Sequence, residues 1–130
     1  MNTVQILGNL ARDPEVRYTQ SGRAVATFTV AATNTYIDST TNKTKEQTAF
    51  VNCVAWGKLG EAVGNYRKGN RLFVEGRIQT RSYEDSNGQK KYVMEVIAGF
   101  VGVSALNDTA MESNFENFAD DKGNDENVPF

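Results

Sequence analysis

Apolar and polar residues alternate along much of the first hundred residues, as they do in strands with one buried face. The segment from Ala24 to Tyr36 is the longest such run. One of its faces carries only apolar residues, namely Ala26, Phe28, Val30 and Ala32. The opposite face carries Thr27, Thr29 and Thr33. We therefore predict a long strand whose apolar face lies in the core.

The segment from Thr48 to Trp56 also divides into two faces. One is small and wholly apolar, with Ala49, Val51, Cys53 and Ala55, and the other carries Phe50, Asn52, Val54 and Trp56. We assign the first face to the core, because all of its residues are small and apolar. This assignment directs Phe50 and Trp56 outward, beside Asn52.

Further strands are predicted on both sides of these two. The segments are Val4 to Leu7, Val16 to Tyr18, Leu72 to Tyr83 and Tyr92 to Val101. Asp85-Ser86-Asn87-Gly88 has the composition of a hairpin turn. The polar stretch from Asp38 to Glu46 has that of an exposed loop.

One helix is predicted between the strands. Residues at the spacing of a helical face are Leu59, Ala62, Val63 and Tyr66. Arg67 and Lys68 suit its last turn, and Gly69 suits its C-terminal cap. Gly60 and Gly64 each weaken a helix by about 1 kcal/mol relative to alanine, so packing must hold it.

The order of these elements predicts the fold class. About five main strands, with one short helix between the third and the fourth, match an all-β, five-stranded Greek-key barrel. A flat sheet would leave two edges unpaired. We predict this domain over residues 1–106. From Asn107 the alternation ends and acids and amides dominate, which predicts a disordered acidic tail over residues 107–130.

The net charge changes sign at the boundary between the predicted domain and the predicted tail. Through Leu106 there are 13 lysines and arginines against 9 acids, a net charge of +4. From Asn107 there is one lysine against seven acids, a net charge of −6. A basic body suggests a polyanionic ligand, and an acidic tail can compete with that ligand or bind a basic partner.

The composition excludes several kinds of active site. There is no histidine and a single cysteine, which excludes imidazole or thiolate zinc sites and Ser-His or Cys-His catalysis. An enzyme would need carboxylates alone, and the nearest pair is Asp13 and Glu15. We predict no catalytic residue, metal or cofactor. No segment approaches the ~20 apolar residues of a membrane span, and a secretory signal is not expected at the N-terminus.

Aromatic and basic side chains on outward strand faces carry the clearest chemistry. Phe50 and Trp56 lie on one predicted strand, and Tyr83 lies on another beside Arg77 and Arg81. Nucleic-acid bases stack on flat rings at roughly 1–3 kcal/mol each. Cations between the rings bind phosphates and release counterions. This pattern favours a single-stranded nucleic acid as the ligand.

Structural alternatives stay open for these residues. A strand aromatic is more often half-buried core than a stacking platform. Arg77 and Arg81 can pair with Glu75 and Glu84 instead of phosphates. Strict alternation places Tyr36 on the core face, so its strand must bulge or extend past the barrel to expose it.

Several segments, in order along residues 1–106, match the pattern of one known family. They are Asn2 to Leu10, Asp13 to Tyr18 with Gly22, Trp56 to Leu59, Arg67 to Gly69, Val74 to Tyr83 and Tyr92 to Val96. On these segments the chain resembles the bacterial-type single-stranded DNA-binding proteins. The resemblance implies an OB-fold, a homotetramer, and binding of single strands without sequence preference.

The resemblance also implies roles for individual residues. The family's four base-stacking aromatics fall on Tyr36, Phe50, Trp56 and Tyr83. Its usually basic positions fall on Lys45, Lys58, Lys68 and Arg81, and we add Arg77 as a fifth backbone contact because it lies beside Tyr83. Asn52 stands where the family often has a basic residue, so the resemblance does not extend to the phosphate contact at this position.

The last six residues resemble the family's acidic tip, which binds replication, recombination and repair enzymes. They are Asp125, Glu126, Asn127, Val128, Pro129 and Phe130. Asn127 interrupts the acids, and Val128 replaces a larger aliphatic residue, which predicts weaker partner binding. The resemblance further implies a cytoplasmic, nucleoid-associated protein.

Two other functions stay open at this point. One is an OB-fold adaptor whose main ligand is a protein, for which strand binding would be weak and would survive Trp56→Ala. The other is a carboxylate-dependent nuclease that uses Asp13 and Glu15, for which labelled strand would be cleaved in the presence of Mg²⁺.

Overall fold

The computed structural model describes residues 1–103, so the predicted tail and its tip lie outside the described residues. These residues form six strands and one helix. In chain order they are β1 (Val4–Leu10), β2 (Glu15–Tyr18), β3 (Ala24–Ile37), β4 (Thr44–Trp56), α1 (Gly57–Val63), β5 (Arg71–Glu84) and β6 (Lys90–Val103). Because β2 is short, five long strands remain, and α1 lies between the third and fourth of them. No helix in residues 1–103 is both long and apolar enough to cross a membrane.

The five long strands close into a barrel. The sheet has the order β1-β5-β6-β4-β3-β2, and β1 also pairs with β3. The pairing of β1 with β3 consists of Asn9 with Ala31 and Leu10 with Val30, whereas β4 and β6 run parallel. The predicted all-β barrel with one short helix is therefore confirmed, and β2 extends the sheet at the edge of β3.

Gly8 lies where β1 crosses β3. A Cβ atom at this position would overlap the carbonyl oxygen of Ala31. Only glycine lets the two backbones approach this closely, so Gly8 is part of the reason that the barrel can close.

The core contains most of the two faces that the alternation predicted, although Ala49, which we assigned to the core, is exposed. Buried residues from the two central strands include Ala26, Phe28, Val30, Cys53 and Ala55. They pack with Leu10 of β1 and with Leu72 and Val74 of β5. Because this face is inward, the alternate residues of β3 and β4 point outward.

The helix is shorter than we predicted. It ends at Val63 with Gly64 as its C-cap, rather than continuing to Gly69. The N–H groups of Asn65 and Tyr66 donate to carbonyl oxygens three residues earlier, at 3.2 and 3.0 Å, which is the geometry of a tightening last turn. Gly64 and Asn65 are poor helix formers in succession. The apolar spacing nevertheless reaches Tyr66, because this ring packs against the core from the turn.

Strands β3 and β4 extend past the barrel as a two-stranded ribbon, formed by residues 33–37 and 44–48. Their pairing continues to Ile37 with Thr44, so the predicted loop from Asp38 to Glu46 is shorter than expected. Residues of the ribbon are exposed on both faces. A strand with two exposed faces shows no apolar alternation, and the pattern therefore did not reveal the start of β4.

Candidate nucleic-acid interface

A row of paired residues crosses four strands on the outside of the barrel. Thr27 on β3 pairs with Val54 on β4, and Val54 pairs with Ile97 on β6. Ile97 in turn pairs with Arg77 on β5. Because paired residues share a face, the outward residues of β4 and β5 belong to one continuous surface, which we call the outer face. By alternation it carries Phe50, Trp56, Arg77, Arg81 and Tyr83.

The four predicted stacking rings are all accessible to solvent. The exposed fractions are 68% for Phe50, 49% for Tyr36, 48% for Tyr83 and 38% for Trp56. None of the four rings is fully buried, and Phe50 is the most exposed of them. The rings leave flat aromatic surface available, and base stacking on it stays a prediction.

Tyr36 reaches the surface because its strand extends past the barrel and not because it bulges. The register of β3 and β4 is unbroken from Val25 with Trp56 to Ile37 with Thr44. Tyr36 pairs with Lys45, and both lie on the side of the ribbon that continues the core face. Phe50 lies on the opposite side. The structure thus exposes Tyr36 but places it on a different surface from the other three rings.

Lys45 is held by a carboxylate. Its ammonium nitrogen lies 2.8 Å from Oδ2 of Asp38, and the backbone N–H of Thr40 donates to Oδ1 of the same group at 2.9 Å. The Lys45 contact first, and then the Thr40 N–H, lower the pKa of Asp38 below its usual value. A phosphate must therefore compete with Asp38 for Lys45.

Arg81 has a partner that the sequence did not suggest. Its Nε donates to Oε1 of the buried Glu95 at 2.8 Å, and Gln79 Nε2 lies 3.5 Å from the same oxygen. The alternative pairing of Arg81 with Glu84 is therefore wrong. Arg77 is exposed, and its Nη1 donates to Gln79 Oε1 at 3.4 Å. Among residues 1–103 there is no ion pair between Arg77 and Glu75.

Lys58 and Lys68 are exposed at the two ends of the segment that contains α1. Lys58 follows Trp56 by two residues. The backbone N–H of Lys68 donates to Oδ1 of Asp13 at 2.7 Å, so Asp13 fixes the turn that carries Lys68. Glu15, the other carboxylate considered for a nuclease, lies 3.6 Å from Arg17.

Two polar contacts complete the surface around β3. Thr29 Oγ1 donates to Asn52 Oδ1 at 3.0 Å, so Asn52 is engaged within the sheet. The guanidinium carbon of Arg23 lies 4.9 Å from the centre of the Trp56 ring. Our sequence reasoning missed Arg23. Arg23 lies two residues before Val25, so its side chain is on the same side of the chain as that of Val25. Because Val25 pairs with Trp56, this spacing places Arg23 near the indole, but the pairing is not evident from the sequence.

An apolar patch lies elsewhere on the outside of the barrel, formed by Leu7, Phe73 and Phe100. Leu7 pairs with Phe73 across β1 and β5. The rings of Phe73 and Phe100 meet edge to face, with their centres 6.3 Å apart. Leu7 and Phe100 are each more than half exposed.

Comparison with known proteins identifies the family of the chain. A family model described as the Single-strand binding protein family matches residues 1–104. Single-stranded DNA-binding protein 2 of Listeria monocytogenes is 48% identical over 100 residues, which cover 75% of this chain and 60% of that relative. The Single-stranded DNA-binding protein of Enterococcus faecalis is 50% identical over 99 residues, which cover 75% of this chain and 50% of that relative. The match thus spans about half to three fifths of these relatives.

Proposed function

The chain belongs to the single-strand binding protein family, and from this premise we propose that it binds single-stranded DNA without sequence preference. The observation that carries the proposal is the exposure of Phe50, Trp56 and Tyr83 on one outer face, together with cations. Stacking uses the π-face that every base has, so such a surface tolerates any sequence.

Each group of residues has a distinct part in this function. Unpaired bases stack on Phe50, Trp56 and Tyr83. The bound DNA then continues onto the ribbon, where it contacts Tyr36. Exposed cations bind the phosphates between the stacked bases; these are Lys45, Lys58, Lys68, Arg77 and Arg81. The contacts of Lys45 with Asp38 and of Arg81 with Glu95 hold two of these cations in place beside rings.

Tryptophan fluorescence tests the proposal directly, because Trp56 is the single tryptophan of the chain. We expect poly(dT) to quench its emission strongly, since a stacked base contacts the indole. Duplex DNA of equal length keeps its bases paired and should have little effect. Equal quenching by the duplex and the single strand would contradict the proposal. Labelled strand kept with the protein and Mg²⁺ should stay intact, because we propose a protein that is not an enzyme and needs no cofactor.

We also propose that the protein assembles with copies of itself, as a homotetramer. Two features of the described residues support self-association. One is the exposed apolar patch of Leu7, Phe73 and Phe100. The other is the edge of β1 from Val4 to Gly8, because β1 pairs with β3 only at residues 9 and 10. An unpaired strand edge is a template for another strand.

The cellular role that fits these properties is protection of exposed strands during DNA replication, recombination and repair, in the cytoplasm and at the nucleoid. We propose that the acidic tip, residues 125–130, recruits the enzymes of these processes. Its resemblance to the family's tip supports this part of the proposal, and Asn127 and Val128 are the residues at which we expect partner affinity to be lower.

A further inference from the structure

Arg23 is fixed against one side of Trp56. The turn before β3 holds its backbone, since the N–H of Arg23 donates to Thr19 Oγ1 at 3.1 Å and its carbonyl oxygen accepts from the Thr19 N–H at 2.9 Å. Gly22 has a φ of 84° in this turn, which glycine adopts without strain. The guanidinium then lies 4.9 Å from the indole centre.

The charge of Arg23 is not used by a carboxylate of the described residues. The ion pairs within residues 1–103 are Arg17 with Glu15, Lys45 with Asp38, and Arg81 with Glu95. Contact with an aromatic ring leaves the N–H groups at the edge of the guanidinium plane able to donate. Arg23 therefore combines an available positive charge with a fixed place beside a ring proposed to stack a base.

We propose that Arg23 and Trp56 form one nucleotide subsite, in which the indole stacks a base on the side away from Arg23 and the guanidinium binds a phosphate next to that base. This inference rests on the proposed function and adds a cation to it. The ligand is a phosphodiester of single-stranded DNA. A guanidinium can stack on a ring while its edge binds a phosphate, whereas a lysine supplies the charge but not the planar stacking.

Salt dependence tests the phosphate contact. The affinity for a labelled oligo(dT) is measured by fluorescence anisotropy over a series of NaCl concentrations. The unsubstituted full-length protein is compared with Arg23→Gln and Arg23→Lys. Loss of one phosphate contact should make the slope of log K against log salt shallower by about 0.7. We expect this change for Arg23→Gln, and we expect Arg23→Lys, which keeps the charge, to retain the slope.

A double-mutant cycle tests whether the two residues act together. We expect Arg23→Gln to weaken binding by about 5- to 10-fold when Trp56 is present and by less than about 2-fold in Trp56→Ala, because residues of one subsite are not additive. The contacts of Arg23 with Thr19 use only its backbone, so Arg23→Gln and Arg23→Lys should fold. The fluorescence of Trp56 in the protein without DNA should also change in Arg23→Gln, since this substitution removes the guanidinium that contacts the indole.

The outcomes separate this inference from the proposed function. The subsite would be overturned if Arg23→Gln left the salt slope unchanged, or if the losses of affinity in the two single variants were additive in the double variant. In either case the unsubstituted protein would still bind single-stranded DNA. Failure of the full chain to bind oligo(dT) would instead overturn the proposed function, and the subsite with it.

Discussion

Cys53 lies inside the barrel, where its thiol is 3.7 Å from the carbonyl oxygen of Val51 and only 1% of the residue is exposed. Burial raises the pKa of the thiol to about 12. The thiolate is the reactive form of cysteine, and it is almost absent at neutral pH when the pKa is this high.

We therefore expect Cys53 to resist a thiol reagent such as DTNB at pH 8 in the native protein and to react at once in denaturant. Rapid stoichiometric reaction of the native protein would contradict this placement. The folded pKa is above the unfolded value of 9.0. The contribution of Cys53 to stability is therefore complete below about pH 9 and is lost as pH rises toward 12, which urea unfolding at successive pH values can follow.

At the scale of single residues, some contacts of the candidate site could be predicted from the sequence and others could not. The outward direction of Phe50 and Trp56 follows from the alternation of small apolar residues beside them. The contact of Arg81 with Glu95 joins β5 to β6, and that of Arg23 with Trp56 joins the turn before β3 to the end of β4. They depend on strand register, which the composition of a single strand does not determine.

At the scale of elements, barrel closure depends on the crossing of β1 and β3. We expect Gly8→Ala to destabilise the protein by about 3 kcal/mol or more, because its Cβ would overlap backbone atoms that have no free space to move into. The measurement is the free energy of unfolding in urea.

Gly99→Ala is the matched control for this prediction. Its Cβ would meet only Glu75 O, at 3.8 Å, which is an ordinary contact. We expect it to change stability by less than about 1 kcal/mol. Equal stability of the two variants would mean that β1 and β3 do not approach as closely as the structure shows.

Elements with one buried face were predicted well, and elements without one were not. Most residues of β3 and β4 are buried or exposed as the sequence indicated, but Ala49 of the predicted core face is exposed and Val54 of the outward face is buried. The ribbon was assigned in part to a loop because it buries neither face. The helix was predicted too long because Tyr66 packs on the core without being helical.

At the scale of the whole molecule, assembly depends on the apolar patch. We expect Leu7→Lys combined with Phe100→Lys to shift the protein to smaller species in native mass spectrometry, because lysines cannot be buried there without a partner. Tyr92→Lys is the control, since this ring is also exposed but lies near the β5–β6 turn, opposite Ser82 and at the other end of β6 from Phe100. A tetramer that survives the double substitution would exclude the patch from the assembly.

Charge separation is the second whole-molecule property. Removal of residues 107–130 changes the net charge from −2 to +4, so we expect tighter strand binding at low salt and a gain that shrinks as salt screens the charges. A full-length variant with the seven tail acids changed to their amides should reproduce the gain. If neither variant binds more tightly at low salt, the tail does not reach the strand site.

The ribbon that carries Tyr36 has a consequence for hydrogen exchange. It is held by cross-strand pairs, such as the 2.8 Å contact between the hydroxyls of Thr33 and Thr48, and has no core beneath it. Segments with few buried apolar contacts open at lower free energy than the body. Amide protons of the ribbon should therefore exchange faster than those of the barrel. Single-stranded DNA that contacts both Tyr36 and the outer face would hold the ribbon in place and slow the exchange of its amide protons. DNA binding at the surface would therefore be measured as slower exchange in a segment that has no core beneath it.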